Sequence, residues 1–378
     1  MDNTFEEKLA NEWKNFQKEQ KELFFPNILI AGGTGTGKSS LINVVFGKSA
    51  ATISDVKPET QGFHLYAGKN YARKVNLIDS AGYETDQAEN YYDDLAKVIR
   101  DGVDGTPIHI IWYCISIANK RVEEFDIDVL EKLLKEEQVR GRMCIVFTKC
   151  DDDDVDSTIA NNFRQIIKNE LLIRKASIPR QLRFFETCHD VKMGLQLNAL
   201  LEWSANSLDE SDLRKCFIAA QQVNLQLKKE EAAKVVKTAA IVAAGIGATP
   251  IPFADAPILV TTQVAMADSI LDIYDLSRYT NLPKALIGDM IMAQAGKAIV
   301  GRLLKWFPGI GTVVGALITG AVASSLTAAL GFALSEICYQ AVDNAINGKN
   351  VVWTNIFDSE IIAQMMEKMK DMKKDQRK

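Results

Sequence analysis

The stretch that most constrains this chain is Asn27-Ile28-Leu29-Ile30-Ala31-Gly32-Gly33-Thr34-Gly35-Thr36-Gly37-Lys38-Ser39-Ser40. A short apolar run gives way to glycines and then to Gly-Lys-Ser, and Leu41-Ile42-Asn43-Val44-Val45 continues as a helix. The pattern G-x-x-x-x-G-K-S therefore lies where it has mechanical meaning, between a strand and a helix. Glycines let backbone N–H groups curl around a phosphate, and the following helix adds its positive N-terminal end. In such a loop Lys38 reaches the outer phosphates, and the Ser39 hydroxyl joins a Mg²⁺ shell that keeps several waters. The expected phosphate site is Gly33, Thr34, Gly35, Thr36, Gly37, Lys38, Ser39 and Ser40.

The loop is followed by alternating strand and helix patterns as far as about Asn206. Apolar runs occur at Gly62–Ala67, Lys74–Asp79, Ile108–Ser116, Met143–Thr148 and Leu182–Thr187. Helical patterns separate them at Ala88–Arg100, Val122–Glu136, Ser157–Arg174 and Leu195–Leu208. This alternation predicts an α/β fold: a doubly wound, mostly parallel sheet with helices on both faces and ligands at the carboxyl ends of its strands. Before it, residues 4–24 predict an amphipathic helix with Phe5, Leu9, Trp13, Phe16 and Leu23 in step, stopped by Pro26. That helix is expected to lie against the nucleotide domain or against helices further on.

Two more motifs stand at expected strand ends. Asp79-Ser80-Ala81-Gly82 is a D-x-x-G after Val75-Asn76-Leu77-Ile78. There Asp79 would hold the Mg²⁺ shell and the Gly82 N–H would meet the γ-phosphate. Thr148-Lys149-Cys150-Asp151 ends a later strand. A carboxylate accepts two N–H groups from guanine, whereas adenine offers no matching pair, so Asp151 is expected to select GTP over ATP, with the Lys149 stem covering the base. Thr148 belongs to the same site. At the last strand end, Glu186-Thr187-Cys188-His189 places Cys188 and His189 where a backbone N–H would meet the guanine carbonyl.

With these motifs in order, the domain resembles a Ras-like G domain. Gly-Thr-Gly-Lys-Ser-Ser-Leu-Ile-Asn further resembles bacterial Era/TrmE-type GTPases and is similar to the interferon-inducible, immunity-related GTPases. The resemblance implies GTP hydrolysis and a switch threonine over the γ-phosphate and Mg²⁺. Thr60, in Pro58-Glu59-Thr60-Gln61-Gly62, fits that role better than Thr52. The implied catalytic set is Lys38, Thr60 and Gly82, and the implied metal ligands are Ser39, Thr60 and Asp79. Two departures matter. Tyr83 occupies the place of the water-orienting glutamine, which implies slow intrinsic turnover, and Gly35 replaces the asparagine of potassium-activated relatives. Arg121, in the loop after the Ile108–Ser116 strand, is a candidate by position for a charge supplied to the transition state.

From about Leu213 the strand patterns cease and Ala-rich helices begin, which predicts a C-terminal all-α domain. The expected division is residues 1–25, 26–209 and 210–378, with an amphipathic helix over Cys216–Thr238 opening the last. Two apolar blocks follow. Ala239–Ala267 is interrupted by Pro250, Pro252, Asp255 and Pro257, and Trp306–Ser335 contains no charge. Gly245-Ile246-Gly247 and Gly309-Ile310-Gly311 open similar stretches, as two helical hairpins would. The second block is long enough to span a bilayer and carries Gly311-x-x-x-Gly315. Its large residues Ile310, Val314, Leu317, Val322, Leu326, Leu330 and Leu334 form a stripe, as in the buried centre of a soluble bundle. Spanning with the first block would bury Asp255 at a cost of about 2.5–3.5 kcal/mol. Both arrangements stay open on sequence. This half resembles an uncharacterised helical domain fused to bacterial GTPases, through Pro250-Ile251-Pro252-Phe253-Ala254-Asp255. The tail Met366-Glu367-Lys368-Met369-Lys370-Asp371-Met372-Lys373-Lys374 is mildly basic, as a lipid-surface contact would be.

Composition bounds the function classes. A net charge of −5 argues against a general nucleic-acid binder. Six scattered cysteines without a C-x-x-C pair argue for reduced thiols in a cytoplasmic setting and against a zinc site, while the apolar helices leave a peripheral or integral place at a membrane open. The first residues lack a signal-peptide core, Asp2 excludes N-myristoylation and the last four residues are no prenylation box. The expected protein is a Mg²⁺-dependent, slow GTPase whose nucleotide state drives a helical effector domain. Homodimerisation or oligomerisation in the GTP state and a membrane surface are its expected partners. The alternatives are a GTP-binding regulator that recruits a protein or ribosomal partner with little hydrolysis, and an ATP-using protein, which Asp151 disfavours.

Overall fold

In the computed structural model the described residues are 5–18, 24–47, 63–68, 74–80, 88–103, 105–139, 141–153, 156–176, 182–190, 195–246, 251–252, 257–280, 282–306 and 317–375. They form two compact units: residues 23–224, and residues 1–22 together with 225–378.

The first unit is built on a six-stranded sheet. Its strands are β1 (Asn27–Ala31), β2 (Phe63–Tyr66), β3 (Asn76–Ser80), β4 (Ile110–Ser116), β5 (Met143–Thr148) and β6 (Arg183–Glu186). Their order is β2-β3-β1-β4-β5-β6, with β2 antiparallel to β3 and every other neighbour parallel. β1, β4 and β5 are buried at every residue, as strands covered by helices on both faces must be. The helices are α2 (Lys38–Phe46), α3 (Ala88–Asp101), α4 (Glu124–Leu133), α5 (Thr158–Ile173), α6 (Leu197–Asn206) and α7 (Ser211–Ala220), so that α1 (Phe5–Lys18) is left to the other unit. Asn27 pins the bottom of the sheet: its amide donates to the Thr106 and Pro107 carbonyls and accepts from Asn76 Nδ2. The pairing of Ile30 with Asp79 and of Ala31 with Tyr113 brings the upper ends of β1, β3 and β4 together.

The boundary between units differs from the expected one at residue 210. α7 belongs to the sheet unit because Phe217 packs edge-on against Phe46 at 6.3 Å, and Phe46 stacks on Trp112 of β4 at 6.0 Å. The continuous helix expected over Cys216–Thr238 is broken between Ala220 and Leu225. The cause is Gln221, whose buried Oε1 accepts from the N–H groups of Val223 and Asn224 while its Nε2 donates to the Asn224 carbonyl. A side chain that satisfies backbone groups locally competes with the helical ladder.

The second unit comprises α1, α8 (Leu225–Ile246), α9 (Pro257–Tyr274), α10 (Lys284–Trp306), α11 (Gly320–Ile346) and α12 (Ser359–Asp375). α1 packs against α9 and α10. Gly288 and Gly296 of α10 allow its approach: a Cβ at Gly288 would lie 1.8 Å from Trp13, and one at Gly296 would lie 2.8 Å from the Glu6 Cα. α11 packs against α8, α9 and α12. Val322, Leu326, Leu330 and Leu334 are buried as the stripe required. Thr327 and Ser335, on the remaining face, are buried as well, paired with Gln263 at 3.3 Å and Tyr274 at 3.0 Å. The helix meets the length and apolarity of a membrane span, yet 72% of its apolar window is buried.

Strand pairing does recur after Leu213, contrary to expectation: Ile251-Pro252 (β7) pairs antiparallel with Leu317-Ile318 (β8). Pro252 has no N–H to give to a helical ladder, which suits its place in an extended pair. Asp255, Phe253, Ala254 and Gly309 to Gly315 lie outside the described residues.

Candidate functional site

Every described motif of the sheet unit lies at the upper ends of its strands. The loop after β1 turns at Gly32, where φ is +135° and a Cβ would lie 2.2 Å from the Cys114 carbonyl oxygen of β4, so only glycine fits. Gly37, at φ +89°, then opens α2, and no side chain caps that helix among the described residues. Its leading N–H groups are those a phosphate would satisfy. Thr34 and Gly35 are exposed at the tip, and Ser39 and Ser40 at the helix start. Thr36 is held from both sides: its hydroxyl donates to the Gly33 carbonyl at 2.8 Å, and its own carbonyl accepts from the Thr148 hydroxyl.

Lys38 is buried, and its Nζ donates to the carbonyls of Gly32 and Gly33 at 3.0 and 2.9 Å. Burial lowers its pKa, against the opposing pull of Asp79. Asp79 closes the other side: its Oδ2 accepts from the Ser39 hydroxyl at 3.2 Å, while its Oδ1 is buried with no hydrogen-bond partner. Burial raises the Asp79 pKa, with Lys38 and Ser39 opposing. A hydroxyl and an orphaned carboxylate oxygen are hard oxygen donors fit for Mg²⁺. No group of three or more acidic, histidine or cysteine residues suited to a metal occurs among the described residues.

The second half of the site is a cavity of about 270 Å³ lined by Gly37, Ser40, Leu41, Thr148, Lys149, Asp151, Thr187, Cys188 and His189. Lys149 adopts φ +57°, an uncommon conformation for a non-glycine residue, and it turns the chain so that Asp151 faces the cavity. The Cys150 N–H donates to the Thr187 carbonyl at 3.1 Å, which ties this turn to the segment after β6. Asp151 Oδ1 is buried without a partner, and its Oδ2 lies 3.4 Å from Nδ1 of the exposed His189. The Cys188 thiol donates to the Asp190 carbonyl at 3.1 Å, and burial raises its pKa.

The structure thus brings together the expected Gly37, Ser40, Thr148, Lys149, Asp151, Cys188 and His189 around one cavity, next to Lys38, Ser39 and Asp79. Thr60, Gly82 and Tyr83 lie outside the described residues. Arg121 is exposed and paired with Glu123 at 2.7 Å, away from this cavity's lining. Sequence reasoning missed Leu41 and Thr187 in the cavity lining, and Tyr91, whose hydroxyl accepts from the Gly32 N–H at 2.9 Å. Thr187 lies inside the quoted Glu186-to-His189 run, whereas a tyrosine within an amphipathic helix gives no local signal.

Residues 27–149 match the family described as 50S ribosome-binding GTPase (MMR_HSR1). This stretch is a GTPase domain. Residues 212–360 match a family described only as a domain of unknown function (DUF697). The GTPase domain is similar to translocase of chloroplast 108 of Physcomitrium patens, 33% identical over 86 residues, 23% of this chain and 9% of the relative. It is also similar to GTPase Der of Leptothrix cholodnii, 33% identical over 78 residues, 21% of this chain and 17% of the relative. The chain therefore spans under a fifth of the length of either relative. Among solved structures it is similar to LeoA, a bacterial dynamin GTPase from ETEC, at 13% identity and a TM-score of 0.35, covering 97% of this chain and 81% of that one.

Proposed function

We propose that this chain is a Mg²⁺-dependent, slow GTP hydrolase whose nucleotide state is passed to its C-terminal helical domain, with self-association in the GTP state. The reading is carried by one observation: a single cavity is bounded by the phosphate loop at Gly37 and Ser40 and by Asp151, whose buried Oδ1 has no partner. An unsatisfied buried carboxylate oxygen is costly unless a donor arrives, and the N1–H and N2–H of guanine supply a pair of donors. In this reading Gly33 to Ser40 wrap the phosphates and Lys38 neutralises their charge. Ser39 and Asp79, with Thr60, hold Mg²⁺, which would stabilise the negative charge that develops on the phosphates. Gly82 faces the γ-phosphate. Lys149 and Thr148 shape the base pocket, and the backbone at Cys188 and His189 closes it.

The motif Gly-Thr-Gly-Lys-Ser-Ser-Leu-Ile-Asn supports a place near Era/TrmE-type and immunity-related GTPases within this large group. The burial of α11 supports a protein that works in solution or on a membrane surface rather than one that spans the bilayer. The deciding experiment is phosphate release by purified full-length protein with GTP and with ATP, with and without Mg²⁺, and with and without anionic liposomes. GTP turnover that needs Mg²⁺ and exceeds ATP turnover is the expected result. Equal use of the two nucleotides would overturn the assignment, and a liposome effect would decide the membrane role. The regulator alternative predicts tight GTP binding without measurable turnover in any arm.

A further inference from the structure

We infer that Tyr91 is a positioning residue for the phosphate site: its phenol ties the first glycine of the phosphate loop to the residue that follows Asp79. The inference rests on the GTPase reading and adds a residue that the motifs do not contain. Tyr91 lies on α3 and is buried. Its oxygen accepts from the Gly32 N–H at 2.9 Å and lies 3.1 Å from the Ser80 hydroxyl. The Phe125 ring packs against it at 6.0 Å. Burial holds the phenol neutral, its pKa pushed up to about 12, so it keeps both its proton and its acceptor lone pairs in the physiological range.

Each contact is one step from a proposed ligand. Gly32 gives its N–H to Tyr91 and receives the Lys38 ammonium on its carbonyl at 3.0 Å. Ser80 follows Asp79, whose Oδ2 accepts from Ser39. The back of Gly32 is blocked by the Cys114 carbonyl, so the loop cannot retreat toward β4. Tyr91 thus fixes from one side the N–H of the residue whose carbonyl Lys38 grips, and from the other the end of β3 that presents Asp79. A shift of α3 is transmitted to both the lysine and the metal carboxylate. Conversely, phosphate and Mg²⁺ that draw on Lys38 and Asp79 pull on α3 through one hydroxyl.

The test compares full-length wild type, Tyr91→Phe, Ser80→Ala and the double variant, with Lys38→Ala as reference. Binding of a fluorescent GTP analogue is titrated with Mg²⁺, GTP is competed against ATP, and melting is recorded for each. Removing the phenol leaves the buried Gly32 N–H without an acceptor, which lowers the melting temperature and frees the loop residue that Lys38 grips to shift. Tyr91→Phe is expected to raise the Mg²⁺ concentration for half-maximal binding and to leave the preference for GTP over ATP unchanged, since the base cavity is not involved. Ser80→Ala is expected to shift the Mg²⁺ midpoint the same way, and the double variant to match Tyr91→Phe, because the two side chains act through one bond.

An unchanged Mg²⁺ midpoint in Tyr91→Phe, fully additive losses, or an equal loss of base preference would each overturn the inference. If Tyr91→Phe does not fold, Ser80→Ala, which keeps the Gly32 bond, decides: an unmoved Mg²⁺ midpoint overturns it. Failure of wild type to bind GTP better than Lys38→Ala would bring down the GTPase reading itself, and that outcome is separate from the variant comparison.

Discussion

Ser39 Oγ donates to Asp79 Oδ2 at 3.2 Å, and this bond joins the start of α2 to the end of β3 across the phosphate loop. The other carboxylate oxygen is buried and unpaired. The arrangement costs stability in the free protein and suits a divalent cation, which would use both groups at once.

Burial raises the Asp79 pKa, so the folded state holds that proton more tightly than the unfolded chain does. The stability contributed by the neutral acid is complete below the ordinary carboxylate range and is lost as pH rises through the raised value. Mg²⁺ needs the carboxylate and competes with the proton. The rise in melting temperature caused by Mg²⁺ with GDP is therefore expected to shrink as pH falls from about 8 to about 5. Asp79→Asn should abolish both the Mg²⁺ effect and its pH dependence. A Mg²⁺ effect that is constant across this range would remove Asp79 from the metal site.

Lys38 is buried against two backbone carbonyls, and burial lowers its pKa. Lys38→Ala deletes the charge meant for the phosphates while the loop's own hydrogen bonds, Thr36 to Gly33 and Thr148 to Thr36, remain. Loss of GTP binding by at least tenfold with a melting temperature close to wild type is expected, from about 1.5–3 kcal/mol per charged hydrogen bond. Turnover equal to wild type in purified Lys38→Ala would refute the role of the loop.

Asp151→Asn exchanges an acceptor for a group that is half donor. GTP is expected to weaken by an order of magnitude or more, by the same energy scale for a charged hydrogen bond. Xanthosine triphosphate should bind better than to wild type, because the new amide donates to the extra carbonyl of xanthine. Competition binding with both nucleotides reads this directly, and an unaltered preference would mean that Asp151 does not face the base.

Gly288 is the point where α10 yields to Trp13 of α1. A side chain there cannot coexist with the ring at its present place, and overpacking a buried contact costs about 1–3 kcal/mol. Gly288→Leu is expected to detach α1, read as faster release of the N-terminal segment by protease and a red-shifted tryptophan emission. Because the proposed coupling between nucleotide and helical unit is reciprocal, GTP affinity measured on the same variant reads how far α1 takes part in it. Protease resistance equal to wild type would show that α1 is held by other contacts.

The sheet unit was legible because its signals are local. The strands that carry Asp79 or lead into Ser39 and Asp151 are fixed by short apolar runs, and a parallel sheet gathers their ends on one edge. The helical unit was legible only in class. The break at Gln221 depends on one side chain turning back onto its own backbone, which leaves no trace in hydrophobic periodicity. The pairing of Ile251-Pro252 with Leu317-Ile318 joins positions far apart in sequence, and two residues are too few for an alternation to be seen. The burial of Thr327 and Ser335 leaves no local signal, because their partners, Gln263 and Tyr274, belong to another helix. Tyr91 escaped notice for a similar reason, since its meaning lies in Gly32 and Ser80 rather than in its neighbours.

The residue after Gly82 is Tyr83, so the position that orients the attacking water in small Ras-like enzymes holds a side chain without an amide. On the proposed function, a second copy of this chain is one source of a group that does this work. Arg121 is exposed at the surface of the GTPase domain, where it pairs with Glu123. An exposed ion pair of this kind is worth little and is readily given up to a phosphate. Arginine supplied in trans is worth about 10³–10⁵-fold in GTPases that use it. If two copies activate each other, turnover per molecule rises with protein concentration, and Arg121→Ala flattens that rise while leaving GTP affinity intact. The measurement is specific activity over a hundredfold range of concentration, with light scattering in GTP and in GDP. A concentration-dependent rate that survives Arg121→Ala would keep self-activation and discharge Arg121. A flat specific activity with no GTP-dependent change in mass would assign the missing group to a separate partner.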